Sequence, residues 1–334
     1  MRQGTRRGIA CAGNWILDMV NDLPHWPDKS ELVHITAQTT GLGGGAANVA
    51  GALAAMGAPY PVFPVGLIGA GMVGDEVLRL CRAAGLPTDR IGRTASATTA
   101  QTLVMNVPGD SRTFFYHPGA NDLLDAAAID VPGLADAGAR IFYLGYLTLL
   151  GALDRIGPDG RTAAAHVLAD ARGREMLTCV DLVSARGPQY RETVMATLPE
   201  IDILLLNEIE AARATGLSIV GAGDVRGMEG AARALCDGGV RRAVILHSAA
   251  HVVWFEDAAA HVFDTPPVPP EDVVSPVGAG DAFAAGVLHG LHDGWPRDRA
   301  VELGFRAARA CLAAPTATGG LTVLRGVLGH VPRP

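Results

Sequence analysis

Long apolar runs are missing from this chain of 334 residues, because glycine, aspartate or arginine interrupts each run before it reaches membrane-spanning length. The cysteines are few and lack a close pair; they lie at positions 11, 81, 179, 236 and 311. An odd number of cysteines, five, argues against a disulfide framework or a zinc knuckle. It is typical of a protein whose thiols stay reduced in a cytosol. Basic residues show no excess, since 27 lysines and arginines are outnumbered by 34 acidic residues. We therefore predict a soluble cytoplasmic protein without a nucleic-acid partner or membrane association.

Familiar nucleotide and metal motifs are missing as well. The sequence contains no G-x-x-x-x-G-K-[ST], which excludes a P-loop kinase at the level of motifs. It contains no H-E-x-x-H or C-x-x-C, the commonest short zinc motifs. His247 and His251 are four residues apart, but the surrounding pattern is that of a strand. The two rings therefore do not share a helical face, and we expect no metal pair there.

What the sequence does contain is a regular alternation of short apolar segments and longer helical patterns. The predicted strands lie near Gly8–Ala12, Pro61–Ile68, Ala139–Leu144, Met176–Asp181, Asp202–Leu206 and Arg241–His247. The predicted helices span Gly45–Met56, Gly74–Ala84, Arg161–Arg172, Tyr190–Leu198 and Val225–Cys236. This alternation predicts an α/β fold, with a mostly parallel central sheet and helices on both faces. One domain over residues 1–334 is the simplest interpretation.

Two segments break the alternation. Residues 14–40 form an extended, mostly polar stretch before the first helix. Residues 98–117 have the pattern of a hairpin, with strands at Thr99–Val107 and Arg112–His117 joined by the turn residues Pro108-Gly109-Asp110. We predict that these segments form a small second sheet, a lid over the ligand crevice. An ordinary extension of the main sheet is the alternative.

Residues Gly69–Gly74 match the pattern G-x-G-x-x-G between a strand and a helix. A dinucleotide site of a dehydrogenase would need this setting and an acidic residue about twenty positions later, where Asp89 lies. That acidic residue should end a second apolar strand, and Leu86–Asp89 cannot form one. A tight turn from strand to helix is therefore the favoured interpretation.

The pentapeptide Val-Gly-Ala-Gly-Asp occurs twice, ending at Asp224 and at Asp281. An amphipathic helix follows the first copy, so Asp224 is predicted to be an ordinary N-cap on the surface. The residues after Asp281 are small or apolar on every side, which predicts a buried helix whose start points into the protein or a pocket. Because an unpartnered buried carboxylate costs free energy, Asp281 is more sensibly a general base than a simple cap.

The start of that buried helix also predicts an anion site. Backbone N–H groups and the positive end of the helix dipole favour negative charge, such as that on a phosphoryl group in transfer. We assign this anion hole to Gly278, Ala279 and Gly280, with the N–H of Asp281 beside them. A further glycine cluster, Gly41–Asn48, opens the first helix. Its glycines could admit a ligand to the backbone while Asn48 binds hydroxyl groups, or they could pack that helix tightly on the sheet.

Taken together, these motifs resemble those of the ribokinase (PfkB) family of carbohydrate kinases. Gly43–Asn48 resembles the N-terminal signature of that family, Val277–Phe283 its C-terminal signature, and Asn207–Glu210 its N-x-x-E motif. The resemblance extends from about Gly8 to Gly320. It implies a ribokinase-like sandwich with a small β lid, through which many members form homodimers. It also implies an ATP-dependent kinase that transfers the γ-phosphate to a hydroxymethyl group, with Asp281 as the base.

The resemblance further implies roles for individual residues. Magnesium would be held near Asn207 and Glu210, largely through waters, although a capping pair at a helix start explains the same two residues. The residues predicted to contact the acceptor substrate are Asp18, Gly44, Gly45, Asn48 and Asn121. Those predicted to contact ATP are Asn207, His247 and Ser248. Ser275 departs from the family, many of whose members have an aspartate there that helps to bind a monovalent cation, so potassium activation is doubtful.

The identity of the acceptor substrate stays open at this level. A sugar or a sugar acid is the first choice, and a nucleoside is the second. Aromatic side chains that could stack on a nucleobase are sparse near the predicted lid: Trp15, Phe114, Phe115 and Tyr116. A non-catalytic protein of the same fold that binds a small molecule is a further alternative.

Overall fold

The computed structural model describes residues 7–107, 112–185 and 187–328. Its strands are β1 (Gly8–Gly13), β2 (Ile16–Asp22), β3 (Ala37–Gly43), β4 (Val62–Gly69), β5 (Ile91–Thr94), β6 (Ala100–Asn106), β7 (Thr113–His117), β8 (Ala139–Leu147), β9 (Leu177–Leu182), β10 (Ile203–Asn207), β11 (Ala243–His247), β12 (His251–Glu256) and β13 (Ala259–Asp264). Its α-helices are α1 (Gly45–Met56), α2 (Met72–Ala83), α3 (Val131–Asp136), α4 (Ala163–Gly173), α5 (Tyr190–Thr197), α6 (Glu208–Thr215), α7 (Val225–Asp237), α8 (Ala279–Asp293) and α9 (Arg297–Leu312).

Nine strands form the main sheet, in the order β13-β12-β11-β10-β9-β8-β1-β4-β5. The seven strands β11, β10, β9, β8, β1, β4 and β5 follow one another in this sheet, and each pair of neighbours among them is parallel. Successive residues of β1 point to opposite faces, because side chains alternate along a strand. Ile9 therefore joins one apolar cluster with α1, α2, α8 and α9, while Ala10 joins another with α3 to α7. The predicted α/β fold with helices on both faces is confirmed.

The antiparallel edge of this sheet, β12 and β13, is a feature that the sequence analysis did not identify. These strands are joined by a two-residue turn at Asp257 and Ala258, whose φ angles are 51° and 62°. Turns of this kind usually carry glycine or asparagine at such positions. The usual hairpin signal was therefore missing from the sequence. Strand β5 and helices α3 and α9 were also missed.

A second sheet of four strands has the order β3-β2-β6-β7. Strand β2 pairs antiparallel with β3 and parallel with β6, so that Asp18 lies between Gly41 and Thr102. The two segments that break the strand–helix alternation thus form one small sheet, as predicted. Strand β3 extends to Gly43, beyond the predicted end of the first segment. The predicted turn Pro108-Gly109-Asp110 lies outside the described residues.

The two copies of the pentapeptide have the contrasting surroundings that the sequence predicts. Asp224 caps α7 by accepting a hydrogen bond of 2.9 Å from the backbone N–H of Gly227. Helix α8, which contains Asp281, is buried along most of its length. It packs against α9 so closely that a Cβ atom on Gly304 would come within 2.6 Å of the Phe283 ring. The G-x-G-x-x-G match is a tight turn from β4 to α2, in which a side chain on Gly74 would overlap the carbonyl of Gly69.

All five cysteines are free thiols. Within the described ranges, every helix is too short or too polar to cross a lipid bilayer.

Candidate active site

Most of the sequence-predicted site residues lie at the carboxyl ends of the central strands and at the start of α8. Two adjoining cavities open there, with volumes of about 500 and about 210 Å³. The larger is lined by Ile16, Asp18, Gly44, Asn48, Thr102, Phe114, Tyr116, Tyr146, Leu149, Val183, Ser184, Ala185, Pro276, Val277 and Gly278. The smaller is lined by Tyr146, Asp181, Leu182, Val183, Ser184, Asn207, Glu210, His247, Gly278, Gly280 and Asp281. Ligands of open α/β sheets bind at this edge of the sheet.

Asp281 is the central acid of the site, and its side chain is only 4% exposed. Its Oδ2 accepts a hydrogen bond of 2.7 Å from the Tyr146 hydroxyl and one of 2.9 Å from Nδ2 of Asn48. Its Oδ1 is buried without a hydrogen-bond partner. Burial raises the pKa of Asp281 to about 7, and the charges of Glu210 and Asp18 add to the rise while the two donors oppose it. A carboxylate with this pKa can accept a proton near neutral pH.

The start of α8 lies beside this carboxylate. Its N-cap, Gly278, has a φ of 83°, and a side chain there would overlap Ala317. Glycine is therefore required, because an L-residue would be strained and would lack space. The first N–H groups of a helix have no partner within the helix, so they can bind an anion. The N–H of Ala279 makes a long bond of 3.4 Å to the Pro276 carbonyl, whereas Gly278 and Gly280 border the smaller cavity.

Asp18 and Asn48 lie together in the larger cavity with Gly44. Burial raises the pKa of Asp18 to about 6, against a hydrogen bond to Thr102 that lowers it. A side chain on Gly43 would overlap the carboxylate of Asp18, so the glycine cluster makes room for this acid. Gly45 has a different role, since a Cβ atom there would come within 2.8 Å of the Tyr146 ring. Tight packing thus accounts for Gly43 and Gly45, whereas the approach of a ligand at Gly44, which lines the larger cavity, stays a prediction.

Asn121 does not line either cavity. Its Oδ1 accepts a hydrogen bond from the backbone N–H of Trp15, and its Nδ2 donates to the Tyr116 hydroxyl, both at 3.3 Å. Tyr116 is the residue that faces the larger cavity. Asn121 therefore lies behind Tyr116 and orients it, rather than contacting the acceptor substrate as the sequence suggests.

Asn207 and Glu210 form a complete capping box at the start of α6. Glu210 Oε2 accepts from the Asn207 backbone, and its Oε1 accepts from Nδ2 of Asn207 and the Ser184 hydroxyl. The capping interpretation is thus correct, and both side chains also line the smaller cavity. Burial raises the pKa of Glu210. Within the described residues, no group of three or more histidine, cysteine, aspartate or glutamate side chains is placed to hold a metal ion.

Of the three residues predicted to contact ATP, Asn207 is described above, and His247 and Ser248 differ in their placement. His247 lines the smaller cavity beside Gly280, and burial lowers its pKa to about 4, so the ring is neutral at physiological pH. The hydroxyl of Ser248 has partners elsewhere: it donates to the carbonyl of Ala222, in the segment before α7, at 2.7 Å and accepts from the N–H of His251 in its own turn. Ser248 does not line either cavity.

Several residues that shape the site were missed by the sequence analysis. Tyr146 lies two residues beyond the predicted end of β8 and belongs to none of the motifs. Asp181 was seen only as the end of a strand, although its buried carboxylate lines the smaller cavity. Arg112, the residue before β7, donates a hydrogen bond of 2.8 Å to the buried hydroxyl of Ser275. That bond connects the small sheet to the loop before Gly278. The local sequence around either residue does not indicate the contact, because the two are 163 positions apart.

Comparisons with solved structures support the same fold. Ribokinase of Arabidopsis thaliana, determined with ribose and ATP, superposes with a TM-score of 0.78, covering 98% of this chain and 100% of that one at 20% identity. A nucleoside kinase of Methanocaldococcus jannaschii superposes with a TM-score of 0.68, covering 95% of both chains at 15% identity. Similarity at this level of identity shows the fold alone.

Curated relatives match over shorter segments. A cytidine kinase of Thermococcus kodakarensis is 36% identical over 122 residues, which span 36% of this chain and 41% of that protein. A 5-dehydro-2-deoxygluconokinase of Geobacillus thermodenitrificans is 36% identical over 55 residues, 16% of each chain. The matched segments thus span less than half of these relatives. The model of the pfkB family of carbohydrate kinases, in contrast, matches residues 8–322. Nearly the whole chain carries that match, and the chain therefore belongs to the pfkB carbohydrate kinase family.

Proposed function

We propose that this protein is an ATP-dependent kinase that transfers the γ-phosphate to a hydroxymethyl group of an uncharged acceptor, with Asp281 as the general base. The observation that carries the proposal is the state of Asp281. Its carboxylate is buried beside the start of α8, has a pKa of about 7 and keeps Oδ1 without a partner. A general base needs a free acceptor atom and a pKa near the working pH, and this group has both.

In the proposed reaction, Oδ1 of Asp281 accepts the proton of the acceptor hydroxyl as that oxygen attacks the γ-phosphorus. The N–H groups around Gly280 stabilise the negative charge of the transferring group. Magnesium bound with the nucleotide would neutralise charge on the polyphosphate, with Asn207 and Glu210 holding it through waters. Phosphoryl transfer depends mainly on such positioning and electrostatic stabilisation.

The lining of the larger cavity favours a nucleoside over the sugar or sugar acid that the sequence analysis ranks first. None of the described residues that line it is cationic, so the carboxylate of a sugar acid would lack a charged partner among them. Polar groups suited to ribose hydroxyls, Asp18 and Asn48, lie at one part of the lining. Phe114 and Leu149 add apolar surface of the kind that a nucleobase covers. A neutral sugar is the second candidate, because the same polar groups would bind it.

A non-catalytic binding protein is disfavoured by Asp281 itself. The Asp281 carboxylate destabilises the fold, because it is buried, has a raised pKa and keeps one oxygen without a partner. A protein that only binds its ligand would gain nothing from such a group. A dehydrogenase is disfavoured by the turn at Gly69–Gly74, where close packing explains Gly69 and Gly74. Free thiols throughout the chain are consistent with the cytoplasmic location that we expect.

The chain itself provides a matched test. Formation of ADP should be measured across nucleosides, neutral sugars and sugar acids, first for the wild type and then for Asp281→Asn and Asp224→Asn. Both variants alter the last residue of the same pentapeptide, but Asp281 lines the smaller cavity whereas Asp224 lines neither of the two cavities described above. Asp281→Asn should reduce kcat by about 10²–10⁴-fold while ATP binding persists. Asp224→Asn should retain wild-type turnover, because asparagine is also a good N-cap. Full turnover by Asp281→Asn would refute the proposal.

A further inference from the structure

Both hydrogen bonds to Asp281 are made to the same oxygen. Tyr146 donates to Oδ2 at 2.7 Å and Asn48 donates to Oδ2 at 2.9 Å, whereas Oδ1 has no partner. We propose that Tyr146 is a positioning residue of the kinase reaction: together with Asn48 it fixes Oδ2, so that Oδ1 is the atom that receives the proton of the acceptor hydroxyl. This inference rests on the proposed function, since it assigns the part of the base that acts.

The ring of Tyr146 is held by packing that does not depend on its hydroxyl. Tyr146 belongs to β8 and faces the start of α1, where a Cβ atom on Gly45 would come within 2.8 Å of its Cδ1. The same ring lines both cavities. Burial and the charge of Asp281 raise the pKa of Tyr146 well above its usual value. The phenol therefore stays protonated at neutral pH and can serve Asp281 only as a donor.

The two donors also determine where a proton can reside. A protonated carboxyl has one carbonyl oxygen and one hydroxyl oxygen, and the carbonyl oxygen is the better acceptor. With two donors aimed at Oδ2, that atom keeps the acceptor role in both protonation states. In the transfer step the acceptor O–H bond breaks and its proton bonds to Oδ1. The electron pair left on the acceptor oxygen forms the new bond to phosphorus, while the bond from phosphorus to the ADP oxygen breaks and ADP departs.

Other polar groups face Asp281 from the surrounding elements, and none of them replaces Tyr146. They are Tyr143 from β8, Asn48 from α1, Asp18 from β2, Asp181 from β9, Glu210 from α6, His247 from β11 and Cys311 from α9. Burial and the charges of Glu210 and Asp18 raise the pKa of Asp281, whereas the side-chain donors Tyr146 and Asn48 lower it. The Tyr143 hydroxyl instead donates to Oδ2 of Asp181 at 3.3 Å. Tyr143 therefore provides the matched control on the same strand.

The test is the pH dependence of kcat/KM for Tyr146→Phe and Tyr143→Phe, with the best acceptor found for the wild type. Loss of the Tyr146 donor should move the acidic limb to higher pH by about half a unit to one unit. Tyr143→Phe should leave the limb in place or move it slightly to lower pH. Asn48→Ala removes the other donor and should shift the limb in the same direction as Tyr146→Phe. If Tyr146→Phe does not fold, the Asn48→Ala variant still tests whether the donors to Oδ2 set the pH of the acidic limb.

The contrary result is an acidic limb that stays at its wild-type pH in Tyr146→Phe, or that moves equally in Tyr143→Phe. Either would show that the hydroxyl has only a structural role. Failure of the proposed function would give a different result. In that case Asp281→Asn would have wild-type turnover, whatever the pH profile of Tyr146→Phe. Thermal unfolding of each variant should accompany the kinetics, since a purely structural effect would lower the melting temperature without moving the limb.

Discussion

Asn48 and Asp281 are separated by 233 positions in the chain, yet Nδ2 of Asn48 donates a hydrogen bond of 2.9 Å to Oδ2 of Asp281. This bond joins the first turns of α1 and α8, the helices that carry the two glycine-rich signatures. The bond is buried, so it is shielded from competition with water. The two signatures therefore build one site, and a change in either is expected to alter the same carboxylate.

The activity should depend on pH through Asp281. Burial raises the pKa of this group to about 7, and only its ionised form can accept a proton. We expect kcat/KM to fall by about tenfold for each unit of pH below about 7. The measurement is a pH–rate profile in buffers of constant ionic strength, with the coupling enzymes kept in excess. A profile that stays flat down to pH 5 would contradict the assignment.

The same raised pKa predicts that the base destabilises the fold. A carboxyl whose pKa rises from 3.8 to about 7 on folding binds its proton more tightly in the folded state. Its stability cost is therefore absent at low pH, grows as pH rises from about 4 to 7, and is complete above 7. Asp281→Asn should thus raise the free energy of unfolding at pH 8, by on the order of 4 kcal/mol at most, and by much less at pH 4. Urea unfolding at both pH values measures this, and equal effects at both would contradict it.

Glu210 should influence the magnesium requirement without being needed for the fold. Glutamine can still complete the capping box with its oxygen, but its amide nitrogen would face the donor Nδ2 of Asn207, so Glu210→Gln should lower the melting temperature only modestly. Loss of its charge from the smaller cavity should raise the magnesium concentration that gives half-maximal activity by several-fold. Glu208→Gln is the matched control, because it removes one charge from the same helical turn without lining either cavity. If both variants needed the same magnesium concentration for half-maximal activity, Glu210 would have no specific role in magnesium binding.

The acceptor preference can be tested on β7, whose neighbouring rings point in opposite directions. Phe114 lines the larger cavity, while Phe115 faces away and stacks on Trp26 with ring centroids 6.5 Å apart. For a nucleoside acceptor, Phe114→Ala should raise KM by about two- to tenfold, the effect of losing one aromatic contact. Phe115→Ala should change KM little. If Phe114→Ala raised KM for a free sugar as much as for a nucleoside, the nucleoside assignment would fail.

The outer face of the small sheet is the expected dimer contact. Leu103 and Phe115 lie opposite each other on β6 and β7, exposed by 38% and 50%, and Trp26 extends the apolar surface. Contiguous apolar surface of this kind marks an interaction site. We expect the wild type to be a dimer in light scattering and Phe115→Asp to be a monomer. Met72→Asp, an equally drastic change at an exposed position of α2, should remain a dimer. A monomeric wild type would contradict this proposal.

Apolar periodicity was sufficient to predict most of the architecture and the burial of Asp281. Each predicted strand and helix coincides with one in the structure to within a few residues, because burial on a sheet or against it leaves a local pattern. Asp281 could be distinguished from Asp224, although both end the same pentapeptide. The helix after Asp224 is amphipathic, whereas the residues just after Asp281 are small or apolar on every side. The contacts of Tyr146 and Arg112 depend instead on tertiary pairing between distant segments, which leaves no local pattern. The turn at Asp257 was missed because residues without a turn signal adopt positive φ there.

The close contact between α8 and α9 has a practical consequence for anyone who screens this enzyme. A Cβ atom on Gly304 would come within 2.6 Å of the Phe283 ring, two residues beyond Asp281. Adding a single methyl group to α9 would therefore push on the helix that carries the proposed base, although Gly304 lines neither cavity. Random mutagenesis should recover inactive variants at this position in well-expressed protein. A map of such variants would extend the functional region of the kinase well beyond the walls of its cavities.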